Sequence, residues 1–97
     1  MQIGVMGLGR MGANIARRVM RKGHACAVYD RDPEPRRRLA GEGALAVATL
    51  SDLVQALSTP RVVWIMLPAG AATEAAVDEL SRRLAAGDTI IDGGNTF

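Results

Sequence analysis

The chain has 97 residues, a formal net charge of +2 and a sequence pI near 9.3, which suits one small domain or part of a larger one. Tyr29, Trp64 and Phe97 are its only aromatic residues, too few for stacking along single-stranded nucleic acid, and no apolar run approaches the roughly 20 residues of a membrane span. One cysteine, Cys26, excludes an internal disulfide, and the N-terminus lacks the basic start of a secretory signal, so a reducing, cytoplasmic setting is expected.

Charge is unevenly placed: nine of the twelve Lys and Arg residues lie between Arg10 and Arg38, and six of the ten acidic residues follow position 50. A basic half is compatible with a nucleic-acid surface, but the scarcity of aromatic residues argues for no nucleic-acid partner. In chain order, Gln2 to Met6 is a short apolar run that predicts a buried strand. Arg10 to Lys22 predicts a helix with Met11, Ile15 and Val19 as its apolar stripe, basic residues in its last turn and Gly23 as its stop. Ala25 to Tyr29 predicts a second strand. Asp32 then serves as N-cap and Pro33 as first residue of a helix ending near Gly41. Ala44 to Val47 predicts a weak third strand, and Thr49 or Ser51 caps a helix through Leu57. Arg61 to Leu67 (RVVWIML) carries the strongest strand signal. Ala71 to Leu84 follows as a helix with Ala72, Ala76, Leu80 and Leu84 on one stripe, and Thr89 to Asp92 is a last strand. Strict alternation of strand and helix predicts an α/β fold, a Rossmann-type doubly wound parallel sheet of about five strands. A run as continuously apolar as VVWIML suits a parallel strand covered on both faces.

Within that frame the G-x-G-x-x-G of Gly7, Gly9 and Gly12 lies between a strand and a helix. That context separates a dinucleotide fingerprint from a glycine-rich turn with no ligand. Gly7 allows a tight turn, Gly9 lets a pyrophosphate approach backbone, and Gly12 lets the helix pack on the strand; the helix N-terminus then faces the phosphates. No Gly-Lys-Ser/Thr follows, so this is not a Walker A loop. Asp30 ends the second strand, 23 positions after Gly7, where a carboxylate accepts hydrogen bonds from the adenine-ribose hydroxyls and repels a 2′-phosphate. It favours NAD over NADP. Arg31 is the opposing signal, weakened by Asp32 beside it, and the plain alternative for Asp30 is a pair with Arg31. Arg36 to Arg38 read as a solvated helix face. Gly93, Gly94 and Asn95 follow the last strand, so that Gly7 to Gly12, Asp30, Leu67 to Gly70 and Gly93 to Asn95 all fall at carboxyl ends of strands, where open α/β sheets bind ligands. Cys26 and Trp64 read as core, Met6, Met11, Met20 and Met66 as core or pocket lining, and His24 lies away from the ligand edge. No metal site is expected.

GLGRMG, the Gly23-His24 pair, LPAG and above all IDGGNT resemble the 6-phosphogluconate dehydrogenase family, within the β-hydroxyacid dehydrogenases that also include 3-hydroxyisobutyrate dehydrogenase. The glycine motif and LPAG are shared across that superfamily; IDGGN selects the first branch, since the hydroxyisobutyrate branch resembles IDxST there. The resemblance implies that Gly7, Leu8, Gly9, Arg10, Met11 and Gly12 hold the dinucleotide. It implies that Asp30, Arg31 and Asp32 stand where NADP-dependent members carry Asn-Arg-Thr, so Asp30 resembles the NAD-preferring bacterial branch. Leu67, Pro68 and Ala69 match a cofactor-lining loop that is Val-Lys-Ala in many members, and Pro68 removes that lysine's charge and donor. Asn95 matches an asparagine that meets both the nicotinamide end and the substrate.

The implied reaction is oxidation of 6-phosphogluconate at its 3-hydroxyl and decarboxylation to ribulose 5-phosphate, in the pentose phosphate pathway. Its base and acid, a lysine and a glutamate, fall beyond Phe97 by resemblance, as do the serine-glycine-glycine substrate loop and the helical catalytic and dimerisation domain. The expectation is therefore that residues 1–97 are the N-terminal part of a dinucleotide-binding domain, without catalytic residues of their own, truncated before the rest of the sheet. Such a chain is expected to be inactive alone and to self-associate or be marginally stable, as part of a homo-oligomer. Two other readings remain open: a 3-hydroxyisobutyrate or tartronate semialdehyde type of β-hydroxyacid dehydrogenase, and a non-catalytic dinucleotide-sensing module.

Overall fold

A computed structural model describes residues 2–67 and 70–93, apart from the side chain of Ala72. The elements run β1 (Gln2–Met6), α1 (Arg10–Arg21), β2 (Ala25–Tyr29), α2 (Pro33–Ala40), β3 (Leu45–Ala46), α3 (Leu50–Ala56), β4 (Val62–Ile65), α4 (Ala71–Arg83) and β5 (Thr89–Asp92). The strands form one parallel sheet in the order β3-β2-β1-β4-β5. The chain winds outward from β1 through β2 to β3, then returns across the sheet to β4 and β5. The order therefore reverses between β1 and β4, and a crevice opens at their carboxyl ends.

The two-residue period of a strand sorts each side chain to one of two layers. Val5, Cys26 and Val28 join Ala13, Ala16, Val19 and Leu39 in a core under α1 and α2. Met6, Ala27, Val63 and Ile65 join Leu53, Val54, Leu57 and Leu80 under α3 and α4. Helices thus cover both faces, and the doubly wound α/β architecture expected from the alternation is the one observed.

Local chemistry explains most boundaries. Asp32 caps α2 by accepting from Glu34 N at 3.0 Å, with Pro33 at the first helical position. Of the two candidate caps for α3, Thr49 is used: its Oγ1 accepts from Asp52 N at 3.0 Å. Gly23, at φ +86°, ends α1, and the amides of Gly23 and His24 bond back to Met20 O and Val19 O. β4 is shorter than the Arg61 to Leu67 run. Arg61 is diverted into an ion pair with Asp88 and bonds to the carbonyls of Val54 and Leu57, and Leu67 already turns into the following loop. β3 contracts similarly to Leu45–Ala46.

Two packing expectations are corrected. The buried face of α1 is Gly12, Ala13, Ala16 and Val19, and Met11, expected on the apolar stripe, is 64% exposed. The reason is the glycine turn: a Cβ on Gly12 would overlap the carbonyl oxygen of Gly7, so residue 12 must face inward, and that sets the rotation of the helix. Trp64 is only half-buried; it packs against the α1-side core and its Nε1 donates to Met66 Sδ at 3.1 Å. Cys26 is core as expected, and burial pushes its thiol pKa up to about 11.

Candidate functional site

The parallel register brings the carboxyl ends of four strands to one edge: Met6 stands beside Tyr29 and Ile65, and Ile65 beside Asp92. Backbone bonds continue one step past the strands and tie the loops together. Gly7 N donates to Tyr29 O at 2.9 Å, Met66 N to Met6 O at 2.8 Å and Gly93 N to Ile65 O at 2.9 Å. The loops that follow β1, β2, β4 and β5 therefore start side by side, as the positions of Gly7, Asp30, Leu67 and Gly93 suggested.

The three glycines of the motif differ in what the fold demands of them. Gly7 sits at φ +95°, and a Cβ there would lie 2.6 Å from Met66 O, so both conformation and space demand glycine. Gly12 is pressed on the Gly7 carbonyl as described. Gly9 is exposed, and a Cβ there would meet nothing within 4 Å among the described residues. The fold itself leaves Gly9 unconstrained. Its openness fits a group arriving from outside. Gly9 also caps α1 without a side-chain bond, and the first turn carries no acidic residue. Ala13 N is the first amide with a helical acceptor, Gly9 O at 2.9 Å. The amides of Arg10, Met11 and Gly12 thus open the helix with no acceptor among the described residues, and their partial positive charge faces the crevice. Arg10 and Met11 project into solvent there, whereas the Leu8 side chain is buried in the α1-side core and presents only backbone.

Asp30 is half-buried and does not pair with Arg31, the plain alternative for it. Its Oδ2 accepts from Leu8 N at 2.7 Å and its Oδ1 from Asp32 N at 2.9 Å. It separates two hollows. One, of about 360 Å³, is lined mainly by apolar groups, among them Tyr29, Leu50, Leu67 and Ala76, with Asp30 and Arg31 at its rim. The other, of about 590 Å³, lies over α1 and α2 between Arg10, Asn14, Arg38 and Asp32. The first has the size and apolar lining for a flat heteroaromatic base, and the Asp30 carboxylate stands at its rim.

Of the predicted site residues, Gly7, Leu8, Gly9, Arg10, Met11, Gly12, Asp30, Arg31, Asp32 and Leu67 gather at this edge; Pro68, Ala69 and Asn95 lie outside the described residues. Asp32 faces the second hollow while its Oδ1 is engaged in capping α2. The reading of Arg36 to Arg38 as a solvated face holds for Arg37 and Arg38 but not for Arg36. Its guanidinium is partly buried and donates to Val47 O at 3.3 Å, and its Nε is buried without a partner among the described residues. Sequence reasoning missed Leu50, Thr73 and Ala76 as hollow lining; only the packing of α3 against β2 and α4 brings them near Asp30. His24 precedes β2, at the opposite end of the sheet. Among the described residues, no group of His, Cys, Asp and Glu is arranged to hold a metal, and no helix is long and apolar enough to cross a membrane.

Comparison with known proteins decides between families that share this fold. Residues 2–97 match the family model described as the NAD binding domain of 6-phosphogluconate dehydrogenase. The chain belongs to that family. Over 96 residues it is 40% identical to an NAD(+)-dependent, decarboxylating 6-phosphogluconate dehydrogenase of Haloferax volcanii, which covers 99% of the chain and 32% of the relative. It is 37% identical over 100 residues to an NADP(+)-dependent, decarboxylating enzyme of Bacillus subtilis, covering 21% of that protein. The Plasmodium falciparum 6-phosphogluconate dehydrogenase structure superposes with a TM-score of 0.85 at 31% identity, over 100% of this chain and 22% of that one. The chain thus spans a third or less of the dehydrogenases it matches, all of them oxidoreductases. The family binds a nicotinamide dinucleotide, and relatives of both cofactor types occur.

Proposed function

We propose that this chain is the NAD-binding part of a 6-phosphogluconate dehydrogenase that oxidatively decarboxylates 6-phosphogluconate to ribulose 5-phosphate. The observation that carries the reading is the pairing of an open, side-chain-free Gly9 and three unengaged helix amides with a carboxylate at the end of β2. The amides of Arg10, Met11 and Gly12 would hold the pyrophosphate, the hollow lined by Tyr29, Leu67 and Ala76 the adenine, and Asp30 the ribose hydroxyls. Each carboxylate oxygen keeps acceptor capacity beyond the backbone bond it makes. By resemblance, Leu67, Pro68 and Ala69 would line the cofactor further along, and Asn95 would stand between the nicotinamide and the sugar acid. When bound, NAD supplies the hydride acceptor.

Preference for NAD over NADP follows from charge. A 2′-phosphate placed about 4 Å from Asp30 would meet a repulsion of about 1 kcal/mol per unit charge with water-like screening, and about 4 kcal/mol at the effective dielectric of a protein surface. Arg31, exposed at the same rim, offsets part of it. Calorimetric titration of the chain with NAD and with NADP, alongside Asp30→Ala, tests the reading. Tighter binding of NAD, with the preference lost in the variant, is expected; tighter binding of NADP by the wild type overturns it. The reaction belongs to a polypeptide that also carries the lysine and glutamate implied by the resemblance. There, cofactor reduction with 6-phosphogluconate and none with 3-hydroxyisobutyrate is expected, and the reverse result overturns the substrate.

A further inference from the structure

We propose that Asp30 is a positioning residue for the glycine loop as well as a ribose contact: its carboxylate latches the loop to the end of β2 and so places the phosphate-binding amides. The proposal rests on the dinucleotide reading above and adds a second role to one of its residues. Both carboxylate oxygens are engaged by the protein's own backbone, Oδ2 by Leu8 N at 2.7 Å and Oδ1 by Asp32 N at 2.9 Å. Leu8 lies between the constrained Gly7 and the unconstrained Gly9. The bond from Gly7 N to Tyr29 O, at 2.9 Å, holds the loop one residue earlier. Two consecutive amides of the loop are therefore stitched to two consecutive residues of the β2 end, 29 and 30.

The second stitch alone depends on a side chain. Beyond Leu8 the chain runs through Gly9 directly into the first turn of α1, so the direction of the Leu8 peptide bears on where the amides of Arg10 to Gly12 point. The other oxygen reaches Asp32, the cap of α2. One carboxylate therefore joins the β1–α1 turn to the start of α2, and a substitution made to alter cofactor choice would also loosen the turn that every dinucleotide uses. Asparagine and alanine remove the same charge from position 30, but they differ in acceptors. Asparagine keeps one oxygen and turns its amide nitrogen toward the other backbone donor, while alanine leaves both donors unpaired.

The test compares ADP with 2′,3′-dideoxy-ADP, which lacks the hydroxyls that Asp30 would contact, by calorimetry on wild type, Asp30→Asn and Asp30→Ala. If Asp30 acts only on the ribose, the dideoxy ligand binds both variants alike, or more tightly than wild type because a negative charge has gone; either result overturns the latch. The latch predicts that Asp30→Ala binds the dideoxy ligand about tenfold more weakly than wild type, the loss of a charge-assisted hydrogen bond, with Asp30→Asn between them. Amide hydrogen exchange without nucleotide decides the latch independently. Leu8 N–H is expected to exchange about tenfold faster in Asp30→Ala while Val5 and Val28 keep their rates. An unchanged Leu8 rate overturns the latch. Failure of wild type to bind ADP at all overturns the dinucleotide reading and leaves the exchange result to judge the latch.

Discussion

Gly9 and Gly12 stand three residues apart in one motif, yet an added methyl group should damage different properties at each. A Cβ at Gly12 would overlap the carbonyl oxygen of Gly7 and approach Met66 Cβ to 3.3 Å. The first obstacle is backbone and cannot rotate away. The N-terminal end of α1 would have to move outward, away from a core that includes Ala13, Ala16 and Val19. Overpacking of this kind costs about 1–3 kcal/mol, and the rigid obstacle places Gly12→Ala at the upper end. With a urea slope of about 1 kcal/mol/M, the unfolding midpoint should fall by about 3 M. Gly9→Ala meets nothing within 4 Å among the described residues and keeps an ordinary backbone at φ −64° and ψ −171°. Its cost is that of a poorer N-cap, about 1 kcal/mol at most. Its methyl instead enters the space proposed for the pyrophosphate, so NAD affinity should drop about tenfold or more. Urea melts followed by circular dichroism, paired with calorimetric titration of NAD, separate the two effects. A Gly12→Ala midpoint equal to wild type, or Gly9→Ala binding NAD as wild type does, would refute the reasoning.

Other expectations follow from packing and charge. Asp88 accepts backbone bonds from Ala85 N and Arg61 N and pairs with the Arg61 guanidinium at 3.0 Å, and these hold its carboxyl below the ordinary value of 3.8. Because the folded pKa is the lower one, its contribution is complete above pH 3.8 and is lost as pH falls below that value toward the folded pKa. The stability gap between wild type and Asp88→Asn in urea melts should therefore narrow below pH 3.8; a gap that widens on acidification contradicts the assignment. Leu80 is 0% exposed and Met11 64%, so Leu80→Ala should cost about 2–5 kcal/mol and Met11→Ala about 0.5 kcal/mol or less in the same melts. Cys26 is buried, with its thiol pKa raised to about 11, and should react with a thiol reagent at neutral pH only after denaturant is added.

What could be read directly from the sequence was whatever depends on neighbours along the chain. The cap at Asp32, the stop at Gly23 and the alternation of strand with helix are local, and they appear in the structure where the residues placed them, while the structure chose Thr49 over Ser51 for α3. The glycine motif was legible because its spacing falls between a strand and a helix, and the fold makes steric demands at Gly7 and Gly12. The rotation of α1 was not. Spacing alone favours Met11 as an inward residue, but the contact of Gly12 with the Gly7 carbonyl turns Met11 to solvent. Arg36 was misplaced for a similar reason: its burial depends on the Val47 carbonyl at the end of β3, 11 residues away. The latch between Asp30 and Leu8 spans 22 residues and exists only because β1 and β2 are neighbours in register. The lining supplied by Leu50, Thr73 and Ala76 likewise waits on the packing of α3 against β2 and α4.

The proposed dinucleotide lies across the carboxyl edge of the sheet with its pyrophosphate on the first turn of α1. Titrating the isotope-labelled chain with NAD and following its amide resonances tests this placement residue by residue. Saturable shifts are expected, largest at Gly9, Arg10, Met11 and Gly12, with Asp30 and Leu67 following the same isotherm. No shift at those amides in a folded chain, or shifts confined to other surfaces, would contradict it.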